Sequence, residues 1–164
     1  MAELDLPGIL RELTEAGVDF FVIGGIAVGY HGYVRATKDI DVVPSPAASN
    51  LTRLAHVLAR LDAAVDGADE FSPDELPDPL DPAVLGTGGN WVLTTRLGRL
   101  DIMQWIDDIG LWAEMSQDAI ADEIAGMPIK VVGYHDLVRL KELAGRPEDL
   151  ADLVRLREVR GEET

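Results

Sequence analysis

Residues 18–43, VDFFVIGGIAVGYHGYVRATKDIDVV, decide how this chain is read. An apolar run leads into a Gly-Gly step, and an Asp-Ile-Asp follows further on. Residues two apart on an extended strand point to one face with backbones roughly 7 Å apart, so Asp39 and Asp41 can reach one divalent cation. Like charges on one strand face repel, and a fold tolerates them where metal, solvent or a cationic partner compensates. Ile40, Val42 and Val43 suit a buried strand. This puts the acidic face at the edge of a hydrophobic sheet, where oxygen donors favour a hard ion such as magnesium. Gly24 and Gly25 let backbone N–H groups approach phosphate oxygens, and the short helix after them offers its positive N-terminus.

On the N-terminal side, Leu6, Ile9, Leu10 and Leu13 recur at helical spacing and predict a helix over 5–16, stopped by Gly17. A strand over 18–23, a tight Gly-Gly exit, a short helix over 26–32 and a strand over 37–43 follow, with Pro44 and Pro46 as the stop. A helix over 47–63 carries Leu51, Leu54, Leu58 and Leu61 on one face. Residues 66–82 hold five Asp, two Glu and four Pro, the composition of a solvated loop. Strands over 91–95 and 99–104, the second containing Asp101, are joined by Arg96-Leu97-Gly98. A short helix near 111–118, short strands over 120–124 and 129–132, and a helical pair over 134–159 split by Gly145 complete the pattern. The expected architecture is a single domain over 1–164 of the α/β (α+β) class, a mixed β-sheet flanked by α-helices.

The composition limits the chemistry. At 164 residues and 47% hydrophobic content, the chain has the size and make-up of one globular domain. No apolar run approaches the roughly 20 residues that cross a bilayer, and the opening residues are acidic where a signal peptide is basic. The expectation is a cytoplasmic protein with no membrane partner. The absence of cysteine excludes disulfides, thiolate zinc sites and cysteine nucleophiles, and the three histidines are scattered, so any metal site is carboxylate-based. A formal charge of -16 opposes non-specific binding to nucleic acid, whose affinity comes largely from Lys and Arg.

If their strands are neighbours, Asp39, Asp41 and Asp101 form a set that can hold two divalent ions. Two such ions about 3.5 to 4 Å apart bind an attacking hydroxyl and a triphosphate during in-line displacement, with Asp101 on the nucleophile side. Gly24-Gly25, the helix around Ala27, His31-Gly32, Arg35, Thr37 and Asp39-Ile40-Asp41 resemble the signature of the DNA polymerase beta-like nucleotidyltransferase superfamily. The likeness is strongest to the branch that includes abortive-infection (AbiE-type) toxin nucleotidyltransferases. Asp101 matches the third carboxylate, and Lys141 to Asp149 followed by Asp152-Leu153 matches the closing helical motif. Many superfamily members carry Ser where this chain has Gly25, and related closing motifs often have Lys where it has Glu148. The resemblance implies a nucleotidyltransferase fold, bound Mg2+ (or Mn2+) and a nucleoside triphosphate. It also implies transfer of a nucleoside monophosphate to a hydroxyl acceptor with release of pyrophosphate.

Other positions admit two readings. Lys141 and Arg146 either hold triphosphate oxygens or solvate helix ends. Arg35 steadies phosphate or the loop, while Lys38, next to Asp39, is expected to face the opposite way. Thr37 orients a carboxylate or is a plain strand residue, and His31 touches a ligand or makes a structural hydrogen bond. Asp149 and Asp152 share a helical face and are expected to pair with Arg146 or Arg155. Trp91, Trp105 and Trp112 read as core or cleft walls, and His56 and His135 need no ligand. The acceptor is left open between a protein side chain, a small molecule such as an aminoglycoside, and an RNA end. A cognate antitoxin or other protein partner is compatible with that setting. The alternative is a catalytically degenerate nucleotide-binding or protein-interaction module on the same fold.

Overall fold

The computed structural model describes residues 2–162, so residues 1, 163 and 164 of the expected 1–164 domain lie outside the described residues. The two apolar runs of the opening segment make its centre. β1 (Phe20–Ile23) is buried throughout, and β2 (Asp39–Pro44) alternates half-buried Asp39 and Asp41 with buried Ile40 and Val42. They pair antiparallel, with Ile23 opposite Asp41. Strands β3 (Ala64–Val65), β4 (Trp91–Thr95), β5 (Gly98–Ile102), β8 (Ile120–Ile124) and β9 (Met127–Val131) extend the pair into a seven-stranded mixed sheet of order β3-β4-β5-β2-β1-β9-β8. β5 runs parallel to β2 and β9 parallel to β1, while the other pairings are antiparallel. A separate two-stranded ribbon joins β6 (Trp105–Ile106) to β7 (Ile109–Gly110).

Helices flank this sheet. α1 (Leu6–Glu15) packs on β9 and on α3 (Ala48–Arg60), which carries α4 (Pro82–Gly86), and α5 (Leu111–Met115) lies against β2. α2 (Gly24–Tyr30) rests on β1 and β2 and against α6 (Tyr134–Ala144), which pairs with α7 (Pro147–Arg160). Local chemistry sets the boundaries. The Asp5 carboxylate accepts the Gly8 N–H at 2.9 Å and caps α1. Gly145, at φ +60°, ends α6 in the left-handed conformation that favours glycine, and Pro147 restarts the chain as α7.

The expected elements are present with shifted ends. The Gly-Gly step is the first turn of α2 and not a loop before it, and β2 starts at Asp39 instead of Thr37. Pro44 closes β2 from inside, since a proline is tolerated at a strand end. The 66–82 segment is mostly exposed and folds into two single 3-10 turns, Ala68–Glu70 and Pro73–Glu75. The ribbon strands β6 and β7 and the edge strand β3, two residues each, were too short to register as a period. Asn50 was also not singled out. Its buried amide donates to the Asp19 and Ser45 carbonyls, both at 2.9 Å, and accepts the Asp19 N–H at 2.7 Å, tying the start of β1 to the end of β2.

Candidate active site

The parallel pairing of β2 with β5 places Asp41 across from Asp101 and Asp39 across from Arg99. All four side chains line one cleft of about 350 Å³, together with Gly24, Gly25, Arg35, Thr37, Lys141 and Arg146. Every residue singled out for phosphate or metal is thus brought to one place. Lys38 is exposed and borders the cleft as well; it precedes β2, so the strand's alternation does not set its direction.

The glycines allow close approach. Gly24 has φ +68°, and a Cβ there would collide with the Asp41 carboxylate. A Cβ on Gly25 would stand 3.0 Å from Thr37 Oγ1 and 3.3 Å from Arg35 Nη1, so a serine there would need those side chains to give by a few tenths of an ångström. Thr37 donates its hydroxyl to the Asp39 backbone oxygen at 3.1 Å and to Asp39 Oδ1 at 3.2 Å. It acts on Asp39 as an orienting group from outside the strand.

The three carboxylates are unequally compensated. Asp41 is pushed up to about 7 by burial, then by the negative charges of Asp39 and Asp101, with Lys141 and Arg146 offsetting only part. Burial also raises Asp101, but Arg99 opposes it with a two-pronged contact, Nε to Oδ1 at 3.0 Å and Nη2 to Oδ2 at 3.2 Å. The same guanidinium lies 3.8 Å from Asp39 Oδ2. Arg99 was missed in the sequence, although its place two residues before Asp101 on one strand puts both on the same face.

The cleft also has a cationic side, made by Lys141 of α6, Arg146 before α7 and Arg35 before β2, and held by aspartates of α7. Lys141 is buried, with Nζ 2.8 Å from Asp149 Oδ1 and 2.9 Å from Asp152 Oδ2. Arg35 grips Asp152 with Nε at 2.8 Å and Nη2 at 2.9 Å, and Arg146 Nε lies 2.7 Å from Asp149 Oδ2. Asp152 therefore pairs with Arg35 and Lys141 instead of Arg146 or Arg155, while Arg155 takes Glu158. Lys141 and Arg146 do not merely solvate helix ends, since two buried aspartates fix them. Burial alone would raise Asp149 and Asp152, but the hydrogen bonds from these cations outweigh it and hold both below the usual carboxylate range.

The remaining side chains are structural. His31 Nε2 lies 2.8 Å from the Val132 carbonyl, and Trp112 stacks on Phe21 with centroids 5.7 Å apart. His56 and His135 are exposed.

For a divalent cation the donor type fits: the carboxylates of Asp39 and Asp101 share the cleft with that of Asp41, whose charge is undercompensated. The arrangement is not a ready-made cage, because Asp101 is engaged by Arg99, and among the described residues no three His, Cys, Asp or Glu side chains converge on a point. Among the described residues no helix is long and apolar enough to cross a membrane.

A mixed sheet carrying an aspartate pair on one strand and a third aspartate on its parallel neighbour defines the class of structure, the nucleotidyltransferase fold. Solved structures agree. ANT(2")-Ia, solved in complex with adenylyl-2"-tobramycin, superimposes with a TM-score of 0.57 at 16% identity, over 92% of this chain and 84% of that one. A Thermotoga maritima protein assigned as a nucleotidyltransferase gives 0.50 at 15% identity, over 93% and 94%. An antigenic nucleotidyltransferase-like protein of Paracoccidioides brasiliensis gives 0.50 at 17% identity, over 94% and 74%. No family model and no curated protein matches the sequence.

Proposed function

We propose that this chain is a nucleoside-triphosphate-binding module on the nucleotidyltransferase fold, with the polyphosphate lying between the Gly24-Gly25 step and the cations Arg35, Lys141 and Arg146. The observation that carries this reading is the shared cleft, in which a side-chain-free turn is brought together with three cations that Asp149, Asp152 and Glu148 fix in place. Arg35 and Arg146 offer the planar donors that phosphate accepts. A ligand that binds only the folded state raises the melting temperature. Titration with each nucleoside triphosphate, with and without Mg2+, is expected to raise it in the native chain. No shift with any of them would sink the reading.

Nucleotidyl transfer is the second reading, supported by the alignment of Asp41 with Asp101. Asp39, Asp41 and Asp101 would hold Mg2+ or Mn2+, and a cation bound there would supply Lewis-acid stabilisation of the charge developing on the transferred phosphoryl group. This reading requires Arg99 to release Asp101, whose carboxylate would then accept the proton of the acceptor hydroxyl. The neighbour solved with an adenylylated aminoglycoside supports a small-molecule acceptor, while the charge of -16 weighs against an RNA end. A protein side-chain acceptor, a cognate antitoxin, kinship with the abortive-infection branch and a cytoplasmic setting belong to this same reading. Pyrophosphate release with a mixture of acceptors, lost in Asp39→Ala, is its expected signature. No release with any acceptor leaves the binding reading alone.

A further inference from the structure

Past the end of β2 the chain forms a second groove, of about 200 Å³, that shares no lining residue with the cleft. Pro44, which lines it, stands three residues beyond Asp41, roughly 10 Å along the strand. Pro44, Pro46, Leu51, Trp105 and Trp112 give the groove carbon walls, and among the described residues no Asp, Glu, Lys, Arg or His lines it. Trp105 is 47% exposed yet held in place: a Cβ on Gly88 would stand 2.8 Å from its Nε1, and one on Gly110 would stand 3.3 Å from its ring. Asn90 clamps the backbone behind it, accepting the Gln104 N–H at 2.9 Å and the Trp105 N–H at 3.2 Å and donating to the Trp105 carbonyl at 2.8 Å.

Gln104 lines the same groove with an unmet need. Its side chain is 8% exposed, and its buried Oε1 has no hydrogen-bond partner among the described residues. A buried acceptor left without a donor is costly. Its Nε2 donates to the Leu85 carbonyl at 3.3 Å, a long bond. The terminal torsion of a glutamine is broad, so the amide can turn to meet a donor that arrives in the groove.

We propose that this groove binds a small neutral aromatic molecule of one or two rings that carries an N–H or O–H donor, at a site separate from the cleft. Each part of that class follows from a wall. A flat ring gains burial and stacking against the exposed indole of Trp105 and the prolines. Its donor satisfies Gln104 Oε1. Neutrality follows from the lining, since a charged ligand would lose its hydration with no counter-charge in return. The volume falls below the roughly 300 Å³ at which drug-sized pockets begin, which limits the ligand to a ring or two. A polypeptide is the poorer occupant: of the lining residues Trp105 alone is an exposed large hydrophobic, far short of the about 800 Å² that each partner buries in a stable interface. The inference does not depend on the nucleotide-binding reading.

The test is a ligand-observed NMR titration of the full chain with indole and with benzothiophene, which has the same shape and no N–H. Native protein is expected to bind indole. In Gln104→Met, which keeps the length of the side chain and removes the acceptor, the ratio of indole to benzothiophene affinity should fall about tenfold. Ala113→Trp fills the groove from an exposed position on α5 and should abolish binding of both probes while keeping the native melting temperature. No indole binding by native protein, or undiminished binding in Ala113→Trp, overturns the site. An affinity ratio that Gln104→Met leaves unchanged overturns the donor requirement.

Discussion

Where β2 meets β5, Asp39 and Asp101 share one guanidinium, that of Arg99, and among the described residues Asp41 makes no ion pair; on α7, Asp149 and Asp152 share three cations, Arg35, Lys141 and Arg146. Both corners withdraw aspartates from water, and in both that withdrawal favours the neutral acid. The outcomes are opposite. Asp41 rises to about 7, whereas Asp149 and Asp152 fall below the usual range. The difference teaches that burial raises a carboxyl unless hydrogen bonds from cations outweigh it, as they do at Asp149 and Asp152 and not at Asp41. The undercompensated corner is poised to take up positive charge, and the compensated one is a scaffold that fixes cations in place.

The strongest way to break this contrast is Lys141→Met, which leaves Asp149 and Asp152 buried without their shared partner. Removing one member of a buried ion-pair cluster costs about 3–5 kcal/mol. Urea denaturation at pH 7 should show a loss of that size, and an unchanged midpoint would mean that the two aspartates are not held as a unit.

The second perturbation sharpens the contrast through pH. Because Asp41 has a folded-state pKa raised from 3.8 to about 7, the native state binds more protons than the unfolded state between those values. Stability from this group therefore falls as pH rises from about 4 to about 7 and stays low above that. Asp149 and Asp152, held low, contribute in the opposite sense: their stabilisation is present above the ordinary carboxylate pKa and is lost as pH falls through their depressed values. Asp41→Asn should remove the first limb and keep the second. At pH 8, without divalent cations, it should gain on the order of 2 kcal/mol, a discount on the full shift. A stability profile that still declines between pH 4 and 7 would count against Asp41 as its source.

The smallest effect is expected from Arg99→Ala. The partly exposed pair is worth roughly 1 kcal/mol, so melting in chelator should fall modestly. Millimolar Mg2+ should restore the loss if a divalent cation can take the place of the guanidinium, while an equal loss in chelator and Mg2+ would show that it cannot.

The sheet centre and the closing helices were legible because their signals are long and local: alternation at Asp39 to Val43, helical spacing on α6 and α7, and glycine stops between them. The aspartate triad was legible as residues, and the parallel register of β2 and β5 supplied the adjacency that spacing alone leaves open. What escaped depends on partners distant in sequence. Arg99 reads as one more strand residue until Asp39 lies across from it. Asp152 reads as a helix-surface acid until Arg35 reaches it from the other end of the chain. Asn50 reads as a polar residue on an amphipathic helix, and only the tertiary fold aims its amide at Asp19 and Ser45.

The bond between Arg35 and Asp152 spans 117 residues. A chain leaving the ribosome presents its glycine step and its aspartate strand well before α7. Until it docks, Arg35 and Lys141 have no anions to fix them, and the cationic wall does not exist. Contacts this far apart in sequence close late because their loop entropy must be overcome first. The cationic wall is thus coupled to the synthesis of α7, and a nascent chain, or one clipped before Pro147, carries the glycine step and the aspartate strand without it.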